Sequence, residues 1–300
     1  MALYLGIDGG GSKTTCVVGD EFNVLATAVA AGSNLLRVGE QQAREALHGA
    51  IRQACESAAL SPAELRGTCA GIAGVARPDV QRTIQQFLAE MIPGNLEVVG
   101  DMEIALEAAF GEAPGVIVIS GTGSIAFGRD SKGRTARAGG WGFAASDEGS
   151  GYWIGRRAIA ALLRLRDEGG NSPLMEAIWK AWGVDTDEKF ILALNAVPPP
   201  AFAELFPVVA AAAESGDPLA ARVLAEAAGE LAALGIVVAR RLFAGEAVPV
   251  AISGGVFQRS ASVRECFRAG LMAAVPGSSV RLELVEPVNG ALMRARRLFR

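Results

Sequence analysis

Short apolar runs alternate with amphipathic stretches along the first third of this chain. Apolar residues recur at helical spacing in some stretches, and others are brief runs of strand length bounded by glycine. The pattern predicts strands at 3–7, 14–18, 23–30, 69–73 and 96–99, and helices at 40–58, 80–91 and 102–110. Strands that alternate with helices in this way indicate a layered α/β fold.

The opening pattern returns from residue 115. A strand at 115–120, a glycine turn, and strands at 125–129 and 135–138 repeat the order of the first three strands. Such an internal duplication is typical of paired domains built from one unit. We therefore predict domains at 1–113 and 114–300, and leave open that the last helix packs back on the first domain. The remaining predicted elements are helices at 147–167, 172–182, 201–213, 218–243 and 289–299, a helix that follows 254–256 and runs to about 274, and strands at 249–253 and 280–284.

Candidate chemistry is concentrated in the two glycine turns. The first strand delivers Asp8 into Gly9, Gly10 and Gly11, after which Ser12 and Lys13 add a hydroxyl and a positive charge. Glycine allows backbone N–H groups to gather around an anion, and a carboxylate beside a phosphate suits a bridging Mg²⁺. The alternative is a plain hairpin turn with a surface lysine. Because a second turn with Thr122 and Ser124 repeats the first, we favour two loops that clamp a polyphosphate.

Composition and charge exclude some classes of function. The chain has 300 residues, 51% of them hydrophobic, and a net charge of −4, which gives no support for binding to nucleic acid or a membrane surface. Its four cysteines are scattered and predict reduced, buried thiols, not disulfides or a metal cluster. Neither a secretory leader nor an apolar run long enough to span a bilayer is evident. We expect a soluble, cytoplasmic protein.

Three polar or aromatic residues outside the glycine turns stand out. Asp101 lies between a predicted strand and a predicted helix, which suits either a general base at a sheet edge or a simple helix cap. Asp147 suits either a hydrogen-bond acceptor for the hydroxyl groups of a ligand or a first-turn acid that complements the helix dipole. Trp141, between two glycines, suits either an apolar platform for the ring of a ligand or core packing.

Five motifs occur in a fixed order along the chain, at 8–14 (DGGGSKT), 120–124 (SGTGS), 139–142 (GGWG), 147–150 (DEGS) and 253–256 (SGGV). In this order they resemble the N-acetylglucosamine kinase branch of the BadF/BadG/BcrA/BcrD ATPases, within the sugar kinase, Hsp70 and actin superfamily. The resemblance covers nearly the whole chain. It implies two ribonuclease-H-like domains with ATP, Mg²⁺ and a sugar in the cleft between them, and lobes that close when the sugar binds.

The resemblance also implies roles for individual residues. Asp8 would lie near Mg²⁺, and Asp101 would be the general base. The residues implied for ATP are Gly10, Gly11, Ser12, Lys13, Thr122, Gly123, Ala203, Gly254, Gly255 and Arg259. Those implied for the sugar are Asn34, Asp101, Ser124, Ile125, Gly140, Trp141, Gly142 and Asp147. The chain departs from the family pattern at Ser12, where threonine is common, and at 102–103, where Met and Glu replace smaller residues.

The expected function is ATP-dependent phosphorylation of an amino sugar, on the 6-hydroxyl of N-acetylglucosamine or a close relative. Glucosamine and N-acetylmuramic acid remain alternative substrates. An ATPase that activates a dehydratase, or a non-catalytic sugar sensor, remains an alternative of another class. The expected partner is a small-molecule amino sugar, and a homodimer stays open.

Overall fold

The computed structural model describes residues 2–197 and 199–299. The strands are β1 (Leu3–Gly9), β2 (Lys13–Gly19), β3 (Val24–Ala31), β4 (Leu65–Ile72), β5 (Asn95–Gly100), β6 (Gly115–Ser120), β7 (Ser124–Arg129), β8 (Thr135–Gly139), β9 (Pro249–Ser253) and β10 (Ser279–Leu284). The helices are α1 (Leu35–Val38), α2 (Glu40–Ser57), α3 (Pro78–Ala89), α4 (Asp101–Phe110), α5 (Gly151–Asp167), α6 (Pro173–Trp182), α7 (Asp187–Leu194), α8 (Phe206–Glu214), α9 (Pro218–Phe243), α10 (Gly255–Arg259), α11 (Ala261–Ala274) and α12 (Pro287–Leu298). Short 3₁₀ helices occupy Pro62–Glu64 and Phe202–Leu205.

The chain forms two compact units. One comprises Met1–Ile117 together with Val285–Arg300, and the other comprises Val118–Leu284. The division falls inside β6, whereas the sequence predicts a boundary after residue 113. The first unit therefore contains both ends of the chain.

Each unit contains a five-stranded sheet, and the two sheets have the same strand order. The first runs β3-β2-β1-β4-β5 and the second, read from its opposite edge, runs β8-β7-β6-β9-β10. In the first sheet β1, β2 and β3 pair antiparallel, while β1, β4 and β5 pair parallel. Short turns suffice for the antiparallel hairpins, but each parallel pair needs a crossover connection, here provided by helices. This is the topology expected of ribonuclease-H-like units.

The first sheet is covered on both faces. On one face α2 and α3 supply an apolar layer in which Leu47, Ile51 and Ile84 are fully buried. On the other face α4 and α12 pack against the strands through a second cluster. The approach of α12 is close, because a Cβ atom at Gly6 would lie 2.5 Å from the backbone nitrogen of Leu292.

Arginines attach α12 to its surroundings. Arg294 makes a bidentate ion pair with Glu97, with both distances 2.7 Å. Arg297 donates to the buried carboxylate of Glu107, and Arg296 donates to the backbone carbonyl of Asp20 at 2.7 Å. The C-terminal helix is thereby held to the first unit by both apolar packing and charge.

Several element boundaries differ from the predicted ones, and capping explains them. The predicted helix at 147–167 begins only at Gly151, because Ser150 accepts a hydrogen bond from Trp153 N at 3.2 Å as the N-cap. The helix predicted after 254–256 begins earlier, at Gly255, and breaks at Ser260, which caps α11. Helices α1 and α7 were not predicted from the sequence. Within the described part of the chain, no helix is long and apolar enough to cross a membrane.

Candidate active site

The first glycine turn is tied to the chain that follows β3. The N–H of Gly10 donates to the carbonyl of Lys13 at 2.9 Å, which closes the β1–β2 hairpin. The carbonyl of Gly10 accepts the N–H groups of Ser33 and Asn34 at 3.0 and 3.1 Å. Asn34 in turn caps α1 by accepting the N–H of Leu36 at 3.1 Å. These backbone hydrogen bonds hold the loop against the segment that follows β3.

Only glycine fits at two points of this contact. A Cβ atom at Gly9 would lie 2.4 Å from Ser33 Oγ, and one at Gly32 would lie 2.5 Å from the carbonyl oxygen of Gly11. Thr14 closes the arrangement, since its hydroxyl lies 2.7 Å from the carbonyl of Ala31 and 2.8 Å from Ser33 Oγ. The glycines therefore serve both a turn and a close approach between two segments.

Strand register brings Asp8 and Asp101 to the same edge of the first sheet. Asp8 on β1 pairs with Gly71 on β4, and Gly71 pairs with Val99 on β5. Asp101 follows Val99 by two residues, at the carboxyl end of the parallel strands. This edge is where ligands bind in open α/β sheets.

The structure corrects one local prediction about Asp101. The N-cap of α4 is Gly100, whose N–H donates to Glu103 Oε1 at 3.2 Å, so Asp101 is the first helical residue and not the cap. Its own Oδ1 accepts the N–H of Met102 at 3.0 Å. The other carboxylate oxygen of Asp101 is not needed to cap the helix.

Burial raises the pKa of both carboxylates, and a neighbouring negative charge adds to the effect at Asp8. Burial, and then the negative charge of Asp101, raise the pKa of Asp8 to about 7, although the nearby Lys13 ammonium acts in the opposite direction. Burial also raises the pKa of Asp101, against the effect of the Met102 N–H. Two neighbouring acids with raised pKa values suit a divalent cation, because Mg²⁺ is usually held by one or two carboxylates together with waters and phosphate oxygens.

Two basic side chains lie at the first turn. Lys13 is exposed at the start of β2, close enough to Asp8 to lower its pKa. Arg37, in the last turn of α1, lies over Gly11: a Cβ atom there would be 3.4 Å from Arg37 Nη1. Arg37 was not among the residues predicted from the sequence. Its only signal was a basic residue three positions after Asn34, and the contact with Gly11 depends on the unpredicted helix α1.

The second glycine turn is anchored to the start of α5. The N–H of Gly151 donates to the carbonyl of Gly121 at 2.8 Å, and Ser120 Oγ donates to the carbonyl of Gly149 at 2.9 Å. Ser124 Oγ donates to the carbonyl of Glu148 at 2.7 Å. The turn itself closes with a 2.9 Å bond from Gly121 N to Gly123 O, and Thr122 lies at its tip.

The candidate nucleotide residues of the second unit converge on this turn. Gly254, with φ of +101°, approaches the end of β6 so closely that a Cβ atom would be 2.3 Å from the carbonyl oxygen of Ser120. A Cβ atom at Gly151 would lie 3.5 Å from the carbonyl oxygen of Ala203. Gly255 and Arg259 begin and end α10, directly after Gly254. Segments far apart in sequence thus share one neighbourhood, whereas Gly10, Gly11, Ser12 and Lys13 belong to the first unit.

Most of the candidate sugar residues form a second group in the same unit. Asp147 is buried, has a left-handed φ of +64°, and accepts the N–H groups of Ser124 and Gly142. Burial raises its pKa against these two hydrogen bonds. A Cβ atom at Gly140 would lie 2.7 Å from Cδ1 of Ile125. Trp141 is 73% exposed and is not a core residue. Asn34 and Asp101 belong to the first unit.

Two sheets of ribonuclease-H-like order, each with a glycine hairpin next to a carboxylate, define the class: the chain has the fold of the actin-like ATPase superfamily, which includes the sugar kinases. The BadF/BadG/BcrA/BcrD ATPase family model matches residues 5–295. The chain therefore belongs to this family, and the resemblance drawn from its motifs is confirmed.

Three relatives show how far the similarity extends. An N-acetylmuramic acid/N-acetylglucosamine kinase of Clostridium acetobutylicum is 36% identical over 236 residues, which are 77% of each chain. An N-acetyl-D-glucosamine kinase of Dictyostelium discoideum is 27% identical over 312 residues, covering 98% of this chain and 97% of the relative. A crystal structure from Chromobacterium violaceum, of a candidate N-acetylglucosamine kinase, superposes with a TM-score of 0.79 at 28% identity, covering 98% of both chains.

Proposed function

We propose that this protein is an ATP-dependent amino-sugar kinase that phosphorylates the 6-hydroxyl of N-acetylglucosamine or a close relative. The relatives that resemble it over most of its length are kinases of such sugars. The observation that carries the proposal further is the pair of acids Asp8 and Asp101 at one sheet edge, each with a raised pKa. Glucosamine and N-acetylmuramic acid are the alternative substrates.

Asp101 is assigned as the general base. Phosphoryl transfer to an alcohol depends mainly on positioning and charge stabilisation, with a carboxylate to accept the hydroxyl proton. Asp101 is held by the N–H of Met102 at the start of α4, and its raised pKa makes it a better proton acceptor than an ordinary aspartate. The proton of the sugar hydroxyl would pass to the carboxylate of Asp101 as the sugar oxygen bonds to the γ-phosphorus and the bond from that phosphorus to ADP breaks.

Asp8 is assigned to the cation and the two glycine turns to the phosphates. A bound Mg²⁺ would neutralise phosphate charge, and Asp8 would hold it through a carboxylate that is then deprotonated. Gly10, Gly11, Ser12 and Lys13 would contact the phosphates from the first turn, and Thr122 and Gly123 from the second. The adenosine would lie against Ala203, Gly254, Gly255 and Arg259. The proposal is supported by the close approach of Gly254 to Ser120 and of Gly151 to Ala203, both next to the second glycine turn.

The sugar is assigned to hydrogen-bonding and apolar groups around Asp147. Asp147 accepts hydrogen bonds from the backbone of Ser124 and Gly142, and Gly140 lies against the side chain of Ile125. Trp141 would offer its exposed indole face to a pyranose ring. Asn34 and Asp101 would complete the set of hydroxyl contacts from the first unit.

A sugar panel tests the proposal. We expect ADP release, measured in a coupled assay, with N-acetylglucosamine, glucosamine, N-acetylmannosamine or N-acetylmuramic acid, and little with glucose. Phosphorus–proton correlation spectra of the product should show the phosphate on C6. No ADP release with any sugar would contradict the proposal, and ADP release without a sugar would instead favour an ATPase that acts on a protein partner.

Replacement of the general base tests its role. We expect Asp101→Asn to lower kcat by about 10²- to 10⁴-fold while the KM for ATP changes little. Asp79→Asn is the matched control, since Asp79 lies in the first turn of α3 in the same unit but is exposed. Its kcat should stay within about twofold of the wild type. An Asp101→Asn enzyme with more than about a tenth of wild-type kcat would show that Asp101 is not the base.

A further inference from the structure

Arg137 and Trp141 form a stacked pair beside the edge strand of the second sheet. The guanidinium carbon of Arg137 lies 4.0 Å from the centroid of the Trp141 ring. Arg137 belongs to β8, the edge strand, and Trp141 follows it between Gly140 and Gly142, both of which have positive φ. The indole is still 73% exposed, so the guanidinium covers only part of it. The turn therefore holds a large apolar ring and a cation together at the surface.

Within the part of the chain that the structure describes, the guanidinium of Arg137 lies over the Trp141 ring and makes no ion pair with a carboxylate. The backbone carbonyl of Arg137 accepts a hydrogen bond from Arg241 Nη1 at 3.0 Å. Stacking on a ring does not consume guanidinium N–H groups, because these point outward in the plane of the group. The pair thus leaves a planar set of donors free for a bidentate partner, and carboxylates match that geometry.

The Arg137–Trp141 pair belongs to the segment to which the sugar is assigned. Gly142 donates its N–H to Asp147, and Gly140 approaches the side chain of Ile125. A neutral amino sugar needs acceptors for its hydroxyls, such as Asp147, and an apolar face, such as Trp141. Such a sugar has no use for an unpaired cation. A sugar that carries a carboxylate would need one, and Asp147 would repel it in the absence of a positive charge.

We propose that Arg137, held against Trp141, is a specificity-determining residue that selects amino sugars bearing a carboxylate. The inference rests on the proposed kinase function and deepens it. The probe is N-acetylmuramic acid, which differs from N-acetylglucosamine only by a lactyl ether on O3. The carboxylate of the lactyl group receives two N–H bonds from Arg137, while the pyranose itself contacts the same groups as a neutral sugar.

A comparison of the two sugars with two substitutions tests the inference. Loss of the charge-assisted hydrogen bonds should lower kcat/KM for N-acetylmuramic acid by about 10- to 100-fold in Arg137→Gln. Arg137→Lys should recover only part of this loss, because lysine keeps the charge but not the planar, bidentate donor set. N-acetylglucosamine changes by less than about threefold in both variants. Arg164→Gln is the matched control for loss of one positive charge in the same unit, because Arg164 is 83% exposed and, among the described residues, forms an ion pair only with Glu168 at the end of its own helix.

Two further measurements separate recognition from a structural role. Isothermal titration with N-acetylmuramic acid, without nucleotide, should show weaker binding to Arg137→Gln than to the wild type. For the wild type, the dissociation constant should rise with salt concentration. An equal fall in kcat/KM for both sugars in Arg137→Gln would mean that Arg137 only supports Trp141, and would overturn the inference. So would a wild-type enzyme that phosphorylates N-acetylglucosamine but neither binds nor phosphorylates N-acetylmuramic acid. A wild-type enzyme that phosphorylates no amino sugar would instead overturn the proposed function.

Discussion

At the scale of single residues, Asp8 is the side chain whose environment works against the stability of the fold. Burial and the negative charge of Asp101 raise its pKa to about 7, from an ordinary value of 3.8. Between these pH values the folded protein retains a proton that the unfolded chain has lost. The free energy of unfolding therefore falls as the pH rises from about 4 to about 7. In the proposed role of Asp8 as a Mg²⁺ ligand, this cost in stability applies while the cation is absent.

We expect Asp8→Asn to stabilise the metal-free protein at pH 8. The gain in the free energy of unfolding should be at least about 1 kcal/mol at pH 8 and less than half as large at pH 5, where wild-type Asp8 is already mostly protonated. Urea denaturation in EDTA at both pH values measures it. Mg²⁺ should stabilise the wild type but not Asp8→Asn.

The matched control for Asp8→Asn is Asp79→Asn. Arg77 lowers the pKa of Asp79, so Asp79→Asn should bring no gain in the free energy of unfolding at pH 8. An Asp8→Asn protein that is less stable than the wild type at pH 8 would refute the account of Asp8 as a destabilising cation ligand.

At the scale of elements, turns next to strand ends position the candidate nucleotide residues. The β9–α10 turn approaches the end of β6 closely enough to leave no room for a side chain at Gly254, whose φ is +101°. At the next residue, Gly255, an added Cβ atom would meet nothing within 4 Å. One glycine is therefore required by geometry, and the other is free of steric demands from the protein itself.

We expect Gly254→Ala to cost about 2–4 kcal/mol of stability and to raise the KM for ATP, because the Ser120 carbonyl and the second glycine turn must shift. Gly255→Ala should leave the free energy of unfolding within about 0.5 kcal/mol of the wild type. Thermal unfolding of the two variants, followed by steady-state kinetics at varied ATP, makes the comparison. Equal stabilities for the two variants would show that the β6 contact is not tight.

At the scale of the whole molecule, the last helix covers one face of the first sheet. Helix α12 packs on β1 and α4, and its Gly290 is buried where a Cβ atom would lie 1.9 Å from the carbonyl oxygen of Ile104. The sheet edge that carries Asp8 and Asp101 therefore depends on a helix that follows it by almost the full length of the chain.

We expect Gly290→Ala to destabilise the first unit by about 1–3 kcal/mol or more, since helix α12 must move away from α4. The matched control is Gly229→Ala in α9, where a Cβ atom meets nothing within 4 Å. Because alanine is the better helix former, this change should stabilise the protein by about 0.5–1 kcal/mol. Chemical denaturation measures both, and a Gly290→Ala protein as stable as the wild type would contradict the close packing.

Local patterns in the sequence determined much of the fold. The helix at 218–243 and the strand at 249–253 were predicted with their observed bounds, because proline and aspartate at one end and glycine at the other mark them locally. The two glycine hairpins and their repetition were also predicted, since apolar runs that alternate with glycines indicate strands and turns directly. Together with the motif order, they were enough to predict the α/β class and the family.

Only the tertiary structure decided what depends on contacts between distant segments. The capture of α12 by the first unit, the left-handed backbone of Asp147, and the contacts of Arg37 with Gly11 and of Arg137 with Trp141 follow from packing that no local periodicity encodes. The raised pKa of Asp8 also depends on the tertiary structure, because its causes are burial and the charge of Asp101, a residue far away in the sequence. The sequence determines which chemical groups are present. The tertiary structure determines which of them interact electrostatically and how far each is exposed to solvent.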